Sequence, residues 1–374
     1  MRVLILEDDP WIADLLKQIV LSLRPGARVD CQARVADAIS AWQREPAQLV
    51  IADWNLPDGS GTLLLQAVRS QDREVPLVMI TARADRNSVL EVRPLGINAF
   101  ISKPFQVPKV LECLQRLLPE APAPTAATPG EEQNFLQHLG ALRDEDIDLP
   151  LRDDLRQQLL AITEASTSLQ QLGDLWQQDP AVQARLVAAA NNPLYNNTGQ
   201  PCSSLADAVR RLGAATALNL VQGLALRPLA SLQDADLKAL GESLLQTQLT
   251  LRLRVAELAK ACQLDPAPLQ CAAMLQRMGE LAVLQQAQSW RQRGLELHEG
   301  HLQQALHQYS SELANRLKVH WRLPIGLREL IGACYGLAPG NARREPILMR
   351  LATVEMHSAD SQEVQRLRRL AGLT

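Results

Sequence analysis

Residues 49–59 read LVIADWNLPDG, and their pattern decides the fold. Four apolar residues, Leu49 to Ala52, carry the chain to Asp53, after which Trp54-Asn55-Leu56-Pro57-Asp58-Gly59 replaces aliphatic chemistry with turn chemistry. An apolar run this short, closed by a turn, marks a strand buried on both faces and places Asp53 at its carboxyl end. A carboxylate in that place calls for a chemical role.

Outward from Asp53, short aliphatic runs alternate with longer amphipathic segments up to about residue 118. The strands are expected at RVLIL (2–6), ARVDC (27–31), LVIAD (49–53), PLVMI (76–80) and AFIS (99–102), with helices near 10–23, 35–44, 60–69, 85–93 and 107–118. Strict alternation of this kind implies parallel βαβ units with right-handed crossovers, hence an α/β doubly wound sheet of five parallel strands. Residues 119–133, PEAPAPTAATPGEEQ, replace the aliphatic pattern with proline, alanine and threonine and read as a semi-extended linker. Beyond them strand signals vanish and Leu/Ala-rich helical periodicity runs on. The expected organisation is a first domain over 1–118, a linker over 119–134 and an all-α domain over 135–374.

Composition narrows the function classes. Hydrophobic residues make up 47% and charged residues 21% of the chain, a globular composition that excludes a disordered one. No run approaches the roughly 18 apolar residues of a membrane span. MRVLILEDD enters a strand without a basic region and cleavage site, so a cytoplasmic protein is expected. Six cysteines (Cys31, Cys113, Cys202, Cys262, Cys271, Cys334) are scattered singly, which suggests neither a disulfide framework nor zinc. Net charge is −3, with basic residues spread along the chain, so no nucleic-acid surface and no membrane partner is indicated.

In an open parallel sheet, ligands bind outside the carboxyl ends of the strands, where strand order reverses. Strand 1 ends there in Glu7-Asp8-Asp9, strand 3 in Asp53, strand 4 in Thr81 and strand 5 in Ser102-Lys103-Pro104. Crowded carboxylates repel one another unless a divalent cation or an ammonium neutralises them. Oxygen-only ligands suit Mg²⁺, which needs one or two direct carboxylates, leaving a carboxylate oxygen free as a nucleophile toward a phosphoryl group. These four separated motifs, in order, resemble the receiver domain of two-component response regulators, whose fold is flavodoxin-like. The resemblance implies that Glu7 and Asp8 hold Mg²⁺ together with Asp53 and the backbone carbonyl of Asn55. It further implies that Asp53 is the phosphoacceptor, that Thr81 moves to the new phosphoryl group, and that Lys103, before a cis Pro104, pairs with it. Phe100 matches the switch aromatic, and Asn55 and Arg83 the positions that tune phosphoryl lifetime. Pro94 departs slightly from the pattern, near the end of the helix expected over 85–93.

The helical half contains DIDLPLRDDLRQQLLAI (146–162), LGDLWQQDPAVQARLVAAANNPLY (172–195) and SSLADAVRRLGAATALNLV (203–221). Over roughly 135–365 it resembles the HDOD output domain, an all-helical relative of the HD-type metal phosphohydrolases. Asp179-Pro180 reads as an N-cap followed by proline at the first helical position. Asn191-Asn192 reads as a helix terminus, and Gly213 as a turn that allows close packing. In CAAMLQRMGEL (271–281), where enzymatic HD relatives carry His-Asp, this chain has Gln276-Arg277, and an arginine cation is the opposite of a metal ligand. Further along, YSSELANRLKVHWRLPIGLRELIGACYG offers Ser310 and Ala333-Cys334-Tyr335 where those relatives offer histidines. The six histidines (His138, His298, His301, His307, His320, His357) lie elsewhere, with His298, His301 and His307 expected on a solvent face around Gly294 and Gly300.

Together these features imply a response regulator that receives its phosphoryl group from a sensor histidine kinase or a phosphotransfer protein. Its noncatalytic HDOD half would signal through a protein partner that the sequence does not identify, with a homodimer as one assembly the resemblance allows. Beyond the receiver's own phosphorylation and dephosphorylation, no enzyme activity is expected. The alternatives are an HD-type phosphodiesterase, which the missing His-Asp opposes, and an unphosphorylated scaffold, which the complete acidic set opposes.

Overall fold

A computed structural model of the chain describes residues 1–82, 92–118, 134–162, 169–227, 230–340, 343–358 and 362–373. By contact, the chain separates into two compact units. The first is Met1–Ala126 with Leu159–Thr167 and Ala215–Pro228, and the second is Ala127–Gln158, Ser168–Ala214 and Leu229–Thr374.

The first unit is built on strands β1 (Arg2–Leu6), β2 (Arg28–Gln32), β3 (Leu49–Asp53), β4 (Leu77–Thr81) and β5 (Ala99–Ser102). They form one sheet in the order β2-β1-β3-β4-β5, every neighbouring pair parallel. Helices α1 (Pro10–Leu23), α2 (Val35–Arg44), α3 (Thr62–Gln71) and α4 (Val107–Leu117) connect or follow the strands. Because side chains alternate along a strand, each central strand feeds two cores. Leu4, Leu6, Val50, Ala52, Leu77 and Met79 pack under α2 and α3, with Trp42, Leu64, Leu65 and Val68. Val3, Ile5, Leu49, Ile51, Val78 and Ile80 face α1 and α4, with Leu16, Ile19, Val110 and Leu114. Burial of one such aliphatic side chain contributes about 1.5–3 kcal/mol, so two filled faces leave strand register little freedom to slip.

Three expectations shift by a few residues. Strands β2 and β4 run one residue further than expected. The helix expected from residue 60 begins at Thr62, because Asn55–Leu56 and Gly59–Ser60 pair as a two-residue antiparallel hairpin and hold the chain back. The helix expected over 85–93 lies mostly outside the described residues; Arg93–Leu95 form a 3₁₀ turn containing Pro94, which Gly96 ends in a left-handed conformation.

The second unit is helical throughout its described residues. Its helices are α5 (Phe135–Gly140), α6 (Asp153–Ala161), α7 (Leu169–Trp176), α8 (Pro180–Ala190) and α9 (Leu205–Leu212). After α10 (Ala214–Ala225), which contacts place mostly in the first unit, come α11 (Ala235–Ala261), α12 (Pro266–Leu275) and α13 (Met278–Gln292). Then follow α14 (Glu299–His320), α15 (Ile325–Ala333), α16 (Arg344–His357) and α17 (Gln362–Ala371). No described helix is long and apolar enough to cross a membrane.

Capping chemistry sets several boundaries. Asp179 is fully buried, and its Oδ1 accepts from Val182 N at 3.0 Å while its Oδ2 accepts from Arg152 N at 2.9 Å. That burial pushes the Asp179 carboxyl up to about 6. Asn191 ends α8 and grips the following loop, donating to Val187 O and Cys202 O and accepting from Cys202 N. Gly213, at φ 77°, closes α9. Near the start of α13, a Cβ on Gly279 would stand 1.8 Å from Ser310 O on α14, so the two helices meet there through backbone.

Gly279→Ala is therefore expected to destabilise the chain by about 1–3 kcal/mol through overpacking. Gly300→Ala, in the first turn of α14 with nothing within 4 Å of the added carbon, should be neutral or slightly stabilising. Urea denaturation of the two variants beside wild type measures the difference.

Candidate functional site

Parallel strands end together at one edge of the sheet, and there the first unit gathers its charge. Glu7 follows β1 with its side chain buried, Asp53 ends β3 almost as deeply, and Lys103 follows β5. The Lys103 ammonium donates to both Glu7 oxygens, at 2.9 and 2.7 Å, and to Asp53 Oδ2 at 2.9 Å. One cation thus joins the ends of three strands. Asp53 Oδ1 accepts from Trp54 N at 2.6 Å, so each of its oxygens is held by a different donor. Asp8 stands beside them, and one ligand oxygen each from Glu7, Asp8 and Asp53 lies within 4.8 Å of the others. Among the described residues this is the one group of three or more His, Cys, Asp or Glu side chains close enough to share a metal ion. Its all-oxygen, carboxylate-rich donor set fits a hard divalent cation such as Mg²⁺ and would not favour a softer metal.

Electrostatics follow from the crowding. Burial pushes the Glu7 carboxyl up to about 7, against the pull of Lys103 and with help from the Asp53 charge. Burial also raises Asp8 above the usual carboxylate range. For Lys103, burial favours loss of the proton, but Glu7 and Asp53 outweigh it and leave the ammonium harder to deprotonate than usual.

The remaining expected residues fall around this cluster. Thr81 ends β4 fully buried, and its carbonyl accepts from Lys103 N at 2.7 Å, tying the Lys103 backbone to the strand next to Asp53. The Lys103–Pro104 peptide bond is cis. Asn55 is exposed at the start of the hairpin that leaves β3. Phe100 does not enter the acidic pocket; it is half-buried against the core beneath α2 and α3. Arg83 lies outside the described residues.

Two residues that shape this edge went unremarked in the sequence. Gly61 donates to Trp54 O, and a Cβ on it would stand 1.9 Å from the Asp53 carbonyl oxygen, so only glycine lets the hairpin close on the strand end. Asp58, at the tip of the hairpin, accepts from Val35 N at 3.0 Å and Ala36 N at 3.2 Å and so caps α2 from a distance. The Val35 N–H is the largest influence holding its carboxyl below the usual range. A glycine two residues after Gly59 was the available signal for the first; nothing local announces the second.

In the helical unit, several positions singled out for missing metal ligands come together. Arg277 Nη1 pairs with Glu280 Oε1 at 2.7 Å, Tyr335 Oη donates to Gln276 O at 2.5 Å, and the Ser310 backbone closes on Gly279. His298 and His301 stand exposed with their rings 5.7 Å apart.

Removing Lys103 leaves two buried carboxylates facing each other. Lys103→Met is expected to lower stability in metal-free buffer by roughly 2–3 kcal/mol, less than a fully buried pair would because the ammonium keeps some contact with water. Asp53→Asn added to that variant should recover part of the loss; thermal denaturation in EDTA reads both.

Comparison with known proteins agrees with this geometry. The response regulator receiver domain family matches residues 3–115, and the HDOD domain family matches residues 149–336, just over half of the chain. The chain is 34% identical over 70 residues to the chemotaxis protein CheY of Pseudomonas aeruginosa, covering 18% of this chain and 56% of that protein. It is 29% identical over 118 residues to CheY1 of Helicobacter pylori, covering 30% of this chain and 91% of that protein. It thus spans about half the length of the first relative and most of the second. Among solved structures, the non-phosphorylated HemR receiver domain of Leptospira biflexa shares 29% identity, covering 31% of this chain and 92% of that one, with a TM-score of 0.29. Sheet order, strand-end cluster and family matches lead to one assignment: the chain belongs to the HDOD domain family and carries a response regulator receiver domain ahead of its HDOD domain.

Proposed function

We propose that this chain is a cytoplasmic phosphorylation-controlled response regulator, with a receiver over 1–118, a linker over 119–134 and a noncatalytic HDOD output domain over 135–374. The observation that carries the reading is the Lys103 ammonium shared between Glu7 and Asp53 at the carboxyl edge of the sheet. A cation already positioned on both carboxylates is suited to a site where negative charge will increase. Asp53 is the phosphoacceptor: its carboxylate oxygen attacks the phosphorus of a phosphohistidine on a sensor histidine kinase or phosphotransfer protein, forming an acyl phosphate as the histidine nitrogen leaves. Glu7, Asp8, Asp53 and the Asn55 carbonyl would hold a Mg²⁺, which would supply charge neutralisation on the phosphoryl oxygens. Lys103 then pairs with a phosphoryl oxygen, and the Thr81 hydroxyl donates to another. Asn55 and Arg83, two positions beyond Asp53 and Thr81, tune how long the acyl phosphate survives.

The phosphoryl group brings about −2 charge at neutral pH. Moving a two-state element from mostly off to mostly on needs about 5.5 kcal/mol of differential stabilisation, which a new charge engaging Lys103 and Thr81 together can supply. Repacking of Phe100 carries the change to the surface beside β5 and α4, which alters affinity for a protein partner or a second copy of the chain. The HDOD half acts by contact: the Arg277–Glu280 pair at a position that would need a metal ligand supports a noncatalytic reading over a phosphodiesterase.

Incubation of the full chain with labelled acetyl phosphate and Mg²⁺ tests this reading. Wild type should be labelled, Asp53→Ala should not, Lys103→Ala should be strongly reduced, and EDTA should abolish labelling. Light scattering on the same samples reads any change of assembly. No labelling of wild type would leave the scaffold reading in front.

A further inference from the structure

Helix α10 belongs to the HDOD half of the sequence, yet contacts group residues 215–228 with the receiver in the first unit. One face of the helix accounts for this. Asn219, Gly223, Leu226 and Arg227, spaced so that they share a face of α10 and its last turn, each meet the receiver. The buried Asn219 amide donates to Phe105 O at 2.8 Å. A Cβ on Gly223 would stand 2.8 Å from the Leu15 side chain, so the α10 backbone itself comes up to α1. Leu226 packs against the core under α1 and α4, and Arg227 Nη2 pairs with Asp14 Oδ2 on α1 at 3.1 Å. Another side of α10 turns to α6, where Gln222 Nε2 donates to Leu159 O at 3.5 Å and Ile162 O at 3.4 Å.

Phe105 stands two residues beyond Lys103, and the segment between them is held at both ends. Lys103 N donates to Thr81 O at 2.7 Å, the Phe105 side chain is buried under α1 and α4, and Asn219 takes the Phe105 carbonyl. The next residue, Gln106, already accepts from Lys109 N and Val110 N at the start of α4, which leaves the segment no slack. A buried backbone carbonyl needs a donor, and here the HDOD half supplies it. From this fixed segment the Lys103 ammonium reaches both Glu7 and Asp53. Pairing with a phosphoryl oxygen on Asp53 would draw it off Glu7.

We propose that Asn219 is a positioning residue of the phosphorylation site contributed by the HDOD half: through Phe105 O it holds the segment that keeps Lys103 on Glu7 and Asp53. Docked α10 therefore restrains phosphoryl transfer, and a phosphoryl group on Asp53 loosens α10 in return, because two events that share one segment influence each other reciprocally. The inference rests on the receiver reading given above and adds to it a physical route from Asp53 into the HDOD half, separate from Phe100.

The test follows labelling of the full chain by acetyl phosphate with Mg²⁺, together with hydrogen exchange of the backbone amides over 214–227 in the same samples. Asn219→Leu, which keeps the volume and removes the donor, should be labelled about three- to tenfold faster than wild type, the worth of one buried neutral hydrogen bond. Arg227→Gln, a partly exposed change that leaves folding intact, should speed labelling about twofold. Gln222→Leu, which frees α10 from α6 and not from the receiver, should be labelled at the wild-type rate. In wild type the amides of α10 should exchange several-fold faster once Asp53 is labelled, and in Asp53→Ala the same treatment should leave them unchanged. No labelling of wild type overturns the receiver reading and this inference with it. Normal labelling of wild type overturns the inference alone in three cases: Asn219→Leu and Arg227→Gln label at the wild-type rate, Gln222→Leu is accelerated as much as Asn219→Leu, or α10 exchange does not respond to labelling.

Discussion

One ammonium sits where three strands of the receiver end. Glu7 and Asp53 stand close together and buried, and Lys103 can reach both because β1, β3 and β5 run parallel and stop at the same edge. The order of the sheet is thus a chemical requirement as well as a packing solution: β1 and β3 are neighbours, and β4 sets the distance across which Lys103 must lean. The Lys103 N–H bonded to the Thr81 carbonyl fixes that lean from the backbone.

Much of this was legible beforehand because parallel strands write themselves plainly. LVIAD is apolar on both faces, so its end could be placed, and Glu7, Asp53, Thr81 and Lys103 each follow such a run directly. What stayed hidden depends on contacts between segments distant in sequence. Asp58 reads as an ordinary turn residue until the fold brings Val35 and Ala36 beneath it. Gly61 looks like helix punctuation until its position against the Asp53 carbonyl is known. The helix expected from residue 60 slipped for the same reason, since hairpin pairing outcompeted the local pattern.

In the helical half the balance differs. Caps are local, so Asp179, Asn191 and Gly213 could be given their roles from neighbouring residues alone, and Asp265 likewise caps α12 through Ala267 N. Which helix faces meet could not be read, because Leu and Ala recur on nearly every face and the pattern fits several packings. The backbone contact between Gly279 and Ser310 depends wholly on that packing, and no periodicity encodes it.

That contact and the neighbouring ion pair bear on how such a domain changes over generations. Placing His-Asp at 276–277 would not by itself create a metal centre. An aspartate at 277 would stand one helical turn from Glu280, placing two like charges where an attraction had been. Gly279 meanwhile holds the Ser310 backbone so close that this stretch of α14 has little room to present a longer ligand. Such neighbours couple non-additively, so each single change toward metal ligands here is unfavourable until the others are present.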